Sequence, residues 1–554
     1  MAQKRQQLVG QIMTPGGKPQ SVNLTVNSRP VIARGEAAAG VQWVDDNYEE
    51  GHPKRYGAVC DGVIDDTAAW QLAINVLSNI YKVLYFKEAL HSIVGKLYFH
   101  YDVTNNPGHN SDESKRGRWG MIGSGLVTKA NMQNGHTIGT VLESNVSSGI
   151  PFISEPLAGD ATLVPVRGLV LENILFKANT ANWVMKLDGL SEGTLTRLRF
   201  QNDNNGGSGL YLRDSDQINV LNIRCVGGSS YTSGTVGFQM DMVDLDSSNS
   251  SYDDILCDSF ETGHMIGGAP TGFDIAAYHQ FSRLRSNNVD IGGIIGDRVR
   301  GSTFEDCQFR GETHGLKLRG RQESNTFIGG GIGANLSAGV NAVADLEIGD
   351  SAAGSGSNII RNVRFIGVLW TNIYVTGVEW FGQSNITNIC FENCRMVGSD
   401  AAAKIFNFNG APQGGRIIDL DLSGTYASLY SGTDHKGNLT EWWDDTLGTH
   451  SVIAAVINPN GGDVASATTI DIGDAGQVRL TGTTSINAIQ QAGVNPPVGR
   501  QVTLHFNGSI SLLSTVGGGT GTGNIGIYSG DFAGVVNRAI RMEFTAGSRW
   551  RLVG

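Results

Sequence analysis

From about residue 165 to 450 the chain repeats a short triplet in which a polar residue sits between two apolar ones, usually after a glycine. The triplets are Met185-Lys-Leu187, Leu210-Tyr-Leu212, Phe238-Gln-Met240, Phe273-Asp-Ile275, Ile294-Ile-Gly296, Leu316-Lys-Leu318, Leu346-Glu-Ile348, Ile373-Tyr-Val375 and Phe406-Asn-Phe408. Their start-to-start spacings are 25, 28, 35, 21, 22, 30, 27 and 33, a mean of about 28. After each triplet comes a polar turn and then a second strand-like piece, such as Leu198-Arg-Phe200, Cys307-Gln-Phe309 or Cys394-Arg-Met396. Side chains alternate across a strand, so each triplet turns two residues inward and one outward. Short strands repeating without helices between them describe the coils of a β-solenoid, whose narrow apolar core forms only when coils stack about 4.8 Å apart.

The flanks have different textures. Residues 1–50 are polar with short β-prone pieces and end in the charged stretch DDNYEEGHPKR, which reads as an attachment segment and linker. Residues 51–164 hold one helical pattern, in which Ala69, Leu72, Ala73, Val76, Leu77 and Ile80 share a face behind a capping cluster of Asp65, Asp66 and Thr67. The buried strand Lys82-Val-Leu-Tyr-Phe86 follows, so the helix is expected to cover the open end of the solenoid, whose body runs over 165–454. Residues 455–554 alternate apolar and polar positions between Gly/Asn/Ser turns, as expected of an antiparallel sandwich or trimer-forming β domain.

Composition agrees. Glycine accounts for 76 of 554 residues, about 14% and twice the usual share. The formal charge of −11 argues against wrapping nucleic acid, and no long apolar run predicts a membrane span. The N-terminus lacks a secretory pattern, so the chain is expected to fold in a cytoplasm. Its six cysteines include no CxxC pair and read as small core hydrophobes; neither metal nor cofactor is expected.

The segment Tyr56-Gly-Ala-Val-Cys-Asp-Gly-Val-Ile-Asp-Asp-Thr-Ala-Ala-Trp-Gln-Leu-Ala-Ile74 resembles the cap signature of right-handed parallel β-helix proteins of the pectate-lyase-like superfamily, written (F/Y)GAxGDGxTDDTxAxQxAI. Cys60 and Ile64 replace its usual Gly and Thr, and Lys87-Glu-Ala89 stands where PPG is usual. With a short N-terminal module and a β-rich C-terminal part ending in Gly547-Ser-Arg-Trp550, the chain resembles bacteriophage tailspikes. That resemblance implies a homotrimer on a virion tail, attached to a tail or baseplate protein through its N-terminus. It also implies binding, and often cleavage, of a bacterial surface polysaccharide.

Candidate chemistry follows from the outward positions. The middle column reads Lys186, Tyr211, Gln239, Asp274, Ile295, Lys317, Glu347, Tyr374 and Asn407, and two residues on lie Asp188, Arg213, Asp241, Ala276, Asp297 and Arg319. Asp241, Asp274 and Asp297 then fall on three consecutive coils, at separations near the roughly 6.5–9.5 Å between the carboxyls of an inverting glycosidase. They are the expected acid and base of hydrolysis, with Glu312 and Glu347 in reserve. Tyr211, Arg213, Lys317, Arg319, Glu347, Tyr374, Trp370 and Trp380 are the expected sugar contacts. A polysaccharide lyase would instead draw its base from Lys317, Arg319 and His314, or from Tyr278-His279. A binding-only spike needs no carboxylate pair at all. Gly189-Leu-Ser191-Glu-Gly193 matches a nucleophile elbow, yet a strand and not a helix follows it, and Gly521-Thr-Gly523-Asn-Ile-Gly526 opens no helix.

Overall fold

The computed structural model describes residues 8–13, 19–24, 45, 47–99, 117–124, 139–154, 166–242, 247–267, 276–334, 342–349, 358–381, 385–409, 413–418, 420–432, 443–444, 451–452, 463–472, 477–490, 500–507, 509–513, 524–525, 532–533, 538–545 and 549–552. The chain forms two compact units, one of residues 1–347 with 368–374 and the other of 348–367 with 375–554. The division falls inside the repeated body expected over 165–454.

The first unit is a parallel β-helix. The inner row of one face runs Met185, Leu210, Phe238, His264, Gly293, Leu316, each in register with the next in a parallel ladder. Two of these rungs correct the sequence reading. The fourth coil places Thr262–Ile266 in the ladder, with His264 and Ile266 inward; the Phe273 triplet lies outside the described residues. In the fifth coil Gly293 and Ile295 point inward and Ile294 outward, one residue from the expected register. With these rungs the spacings of 35 and 21 disappear, becoming 26 (238 to 264), 29 (264 to 293) and 23 (293 to 316).

The other two faces meet at a left-handed residue that turns each coil: Asn173, Arg197, Asn222, Asp254, Arg283 and Asp306, with φ between 50° and 56°. Asparagine and aspartate tolerate this conformation because their short side chains bond locally. Inside, Tyr252, Phe281, Phe304 and Phe327 stack at 4.8, 4.8 and 4.6 Å, the strand spacing itself, each pair contributing about 0.5–1.5 kcal/mol. At another corner a polar ladder clips coil to coil. Ser250 N donates to His279 Nδ1, His279 N to Ser302 Oγ, and Ser302 N to Asn325 Oδ1.

The helix spans Thr67–Ile80 and buries Trp70, Ala73, Ile74 and Leu77. The two aspartates before it divide their work. Asp65 Oδ1 accepts from Thr67 N at 2.9 Å, while the Asp66 carboxylate turns back to the backbone N–H groups of Val59 and Cys60 at 2.8 and 3.0 Å and pins the signature loop. All six cysteines are free thiols and five are buried. Among the described residues no helix is long and apolar enough to cross a membrane.

In the second unit Thr376–Phe381, Lys404–Asn409 and Ser428–Gly432 form a parallel ladder, with Val378, Phe406 and Tyr430 in register. The repeat here is therefore Val378-Glu-Trp380 and not Ile373-Tyr-Val375. Toward the C-terminus an eight-stranded sheet encloses a core of Leu480, Leu504, Met542, Phe544 and Trp550 among others. Its ladders are mixed, parallel at Asp463–Ala465 with Gln477–Thr481 and antiparallel at Gln501–Phe506 with Arg538–Thr545, where the alternation had led to an all-antiparallel expectation.

Candidate functional site

On the outer surface of the first unit the middle column is Lys186, Tyr211, Gln239, Met265, Ile294, Lys317. Two residues further along each strand, Asp188, Arg213 and Asp241 form a second row. Asp241 thus stands where the spacing put it, but its neighbours are not the expected ones. Asp274 lies outside the described residues. Asp297 falls one residue beyond the row because Ile294 takes the outward place, and its carboxylate instead caps Arg321 N at 2.6 Å and pairs with Arg298 at 3.4 Å.

The carboxylates that gather about Asp241 are Asp188 and Asp214. Asp188 lies two strand spacings from Asp241 in the same row, about 10 Å from backbone to backbone. Its carboxylate is 2.9 Å from the Lys186 ammonium, and Ser154 Oγ accepts from its backbone N–H at 2.6 Å. Asp214 follows Arg213, whose guanidinium is 3.3 Å away, and holds a left-handed φ of 50° where the preceding coil has Gly189 at 67°.

Asp241 is 3% exposed. Its Oδ2 accepts from the Tyr211 hydroxyl at 3.0 Å and from Gln239 Nε2, whereas its buried Oδ1 has no hydrogen-bond partner among the described residues. Burial raises its pKa from the ordinary value, the bonds from Gln239 and Tyr211 oppose that rise, and the negative charge of Asp214 adds to it. Burial therefore outweighs the acidic neighbours that the sequence pointed to. Tyr211 is also pushed well above its ordinary value, first by burial and then by the Asp241 charge, which makes it a hydrogen-bond donor and not a base.

A second cluster spans the neighbouring strands His314–Leu318 and Ala344–Ile348. Glu347 is 3.0 Å from Arg319, 3.2 Å from His314 Nε2 and 3.8 Å from Lys317. Burial would raise its pKa, but the His314 hydrogen bond and the Lys317 and Arg319 charges hold it at about 2. The basic groups expected of a lyase are thus gathered around a permanent carboxylate. The alternative pair is divided, since Tyr278 is 62% exposed while the His279 imidazole is buried in the corner ladder, its pKa lowered by burial to about 4.

The two tryptophans expected to stack on sugar are corrected by burial. Trp370 and Trp380 are both fully buried, so neither ring face meets solvent. Tyr374 lies outside the repeating triplet and leaves its place to Glu379 in the second unit. There Glu379 pairs in register with Asn407 and accepts from Asn407 Nδ2 at 2.9 and 3.0 Å and from Asn409. Burial raises its pKa against those bonds. Asp188 was legible as a column member but not singled out, and Asp214 carries no signal beyond its place after Arg213. Trp183, tilted against Tyr211 at 5.1 Å, was not singled out either.

No protein-family model and no curated protein matches the sequence. Solved structures similar to the chain include the enzymatically active domain of tailspike protein 2 of bacteriophage CBA120, with 11% identity over 70% of this chain and 48% of that one and a TM-score of 0.33. Others are the catalytic domain of a GH87 α-1,3-glucanase in complex with nigerose (13% identity, 66% of each chain, TM-score 0.36) and the Streptococcus pneumoniae surface protein and adhesin PfbA (10%, 70% of this chain and 99% of that one, TM-score 0.33). The alignment spans less than half the length of the tailspike chains it matches.

Proposed function

We propose that the chain is a phage tailspike that binds a bacterial surface polysaccharide, capsule or O-antigen, and hydrolyses its glycosidic bonds with the carboxyl groups of Asp241 and Asp188. The observation that carries this reading is the contrast within one row. Both carboxyls are equally buried, at 3% exposure; Asp241 has one oxygen undonated and holds its proton more firmly than an ordinary carboxyl, whereas Asp188 lies 2.9 Å from the Lys186 ammonium. Asp241 gives its proton to the glycosidic oxygen as the bond to the anomeric carbon breaks. Asp188 takes a proton from the water that attacks that carbon from the other side, so one water is consumed and a new reducing end appears. The charge of Asp214 adds to the rise that burial gives the Asp241 pKa.

By its polar composition the segment 1–50 is proposed to dock on a virion partner, and 455–554 to hold a homotrimer together. The test of the enzymatic reading is incubation of the purified chain with host capsule and O-antigen polysaccharides, followed by reducing-end release and ultraviolet absorbance. Reducing ends without absorbance are expected. Absorbance would mean an unsaturated product and a lyase, and binding without either would mean an adhesin.

A further inference from the structure

We infer that Trp183 is the sugar-stacking residue beside the carboxyl row and seats a pyranose unit next to the cleaved bond; this rests on the hydrolase reading above. Tyr211, the residue the sequence offered for that task, is already committed. Its hydroxyl is given to Asp241, its ring centroid is 5.6 Å from the Lys186 ammonium, and the Trp183 ring lies against it. Trp183 opens the strand Trp183–Asp188, which carries both Lys186 and Asp188, and its side chain remains partly in solvent, unlike Trp370 and Trp380 in the core. Tyr211 therefore acts as a backing plate that fixes the indole in place and ties its position to the proton donor. An indole held rigidly loses little freedom on binding, and its free surface suits a pyranose face that carries C–H groups and no axial hydroxyl. The ligand class is thus a polysaccharide with such a flat-faced pyranose adjoining the scissile linkage, recognised without a charge on the sugar.

The experiment uses the full chain and an immobilised panel of bacterial capsular and O-antigen polysaccharides, with Trp183→Ala and Trp183→Phe beside the wild type. For a polysaccharide the wild type holds and cuts, Trp183→Ala is expected to raise KM about ten- to hundredfold with kcat nearly unchanged, and Trp183→Phe to recover most of the loss. Tryptophan emission should change when the wild type meets its own released fragments, and that change should be missing in Trp183→Phe, a readout that stands even if the alanine variant folds poorly. Unchanged KM and an unchanged emission response in the variants would overturn the inference and leave the hydrolase reading intact. A fall in kcat alone would also overturn it, since it would make the indole a support for Asp241. A wild type that neither binds nor cuts any member of the panel would remove the parent reading and this one together.

Discussion

The Tyr211 hydroxyl lies 3.0 Å from Oδ2 of Asp241, one strand across and two residues along. It favours the ionised carboxylate, whereas burial favours the neutral acid, and burial is the stronger of the two. Removing the hydroxyl must therefore raise the Asp241 pKa further. A general acid loses activity as pH rises through its pKa, so Tyr211→Phe is expected to move the alkaline limb of the kcat/KM profile upward by about half to one unit. A limb that stays or moves down would detach Tyr211 from the proton donor.

Replacement of the carboxyls one at a time separates the row from its decoys. Asp241→Asn and Asp188→Asn are each expected to lower depolymerisation by about 10²–10⁴-fold while polysaccharide binding persists. Asp297→Asn should change the rate little, because its carboxylate serves a turn and Arg298. Reducing-end assays of the three variants decide this, and a silent Asp188→Asn would pass the base to Asp214.

Acid should weaken the fold in two stages. Burial holds His264 and His279 at a pKa of about 4, while unfolded histidines take up protons below about 6.5. Their neutral burial is fully favourable above about 6.5, and stability is lost as pH falls from there toward 4, by about 1.4 kcal/mol per unit for each histidine. Glu143, 3.2 Å from His91 Nε2 and 2.8 Å from the Lys177 ammonium, and Glu347 are held at about 2 by these partners and contribute stability above about 4.5 that is lost between about 4.5 and 2. Melting temperature measured against pH should show both declines, and His279→Gln should shrink the first.

Truncation at residue 455 is expected to leave a soluble chain that no longer assembles. Sedimentation of the two forms tests it, and a stable trimer from the shortened chain would take the assembly role away from residues 455–554.

The solenoid was legible because its inner rows are mostly aliphatic or aromatic, and the outward Lys186, Tyr211, Gln239 and Lys317 followed from them. The reading slipped where the core departs from that chemistry. His264 occupies an inner place because its Nε2 is 3.0 Å from Arg285 O, and Gly293 because any side chain there would strike Phe309. Neither looks apolar in a triplet, so two rungs escaped the count and Asp297 entered the row. Asp188 and Asp214 were hidden for another reason. A residue's place in a row can be counted from sequence, but its burial and the cations it meets cannot.

The corner ladder of Ser250, His279, Ser302 and Asn325 joins each coil only to the next, with a step of 23 residues from His279 to Ser302 and again from Ser302 to Asn325. A solenoid tied in this way is a series of nearest-neighbour links whose stability adds coil by coil. Peeling one terminal coil away would release about 80 Å of chain and leave the contacts among the other coils in place.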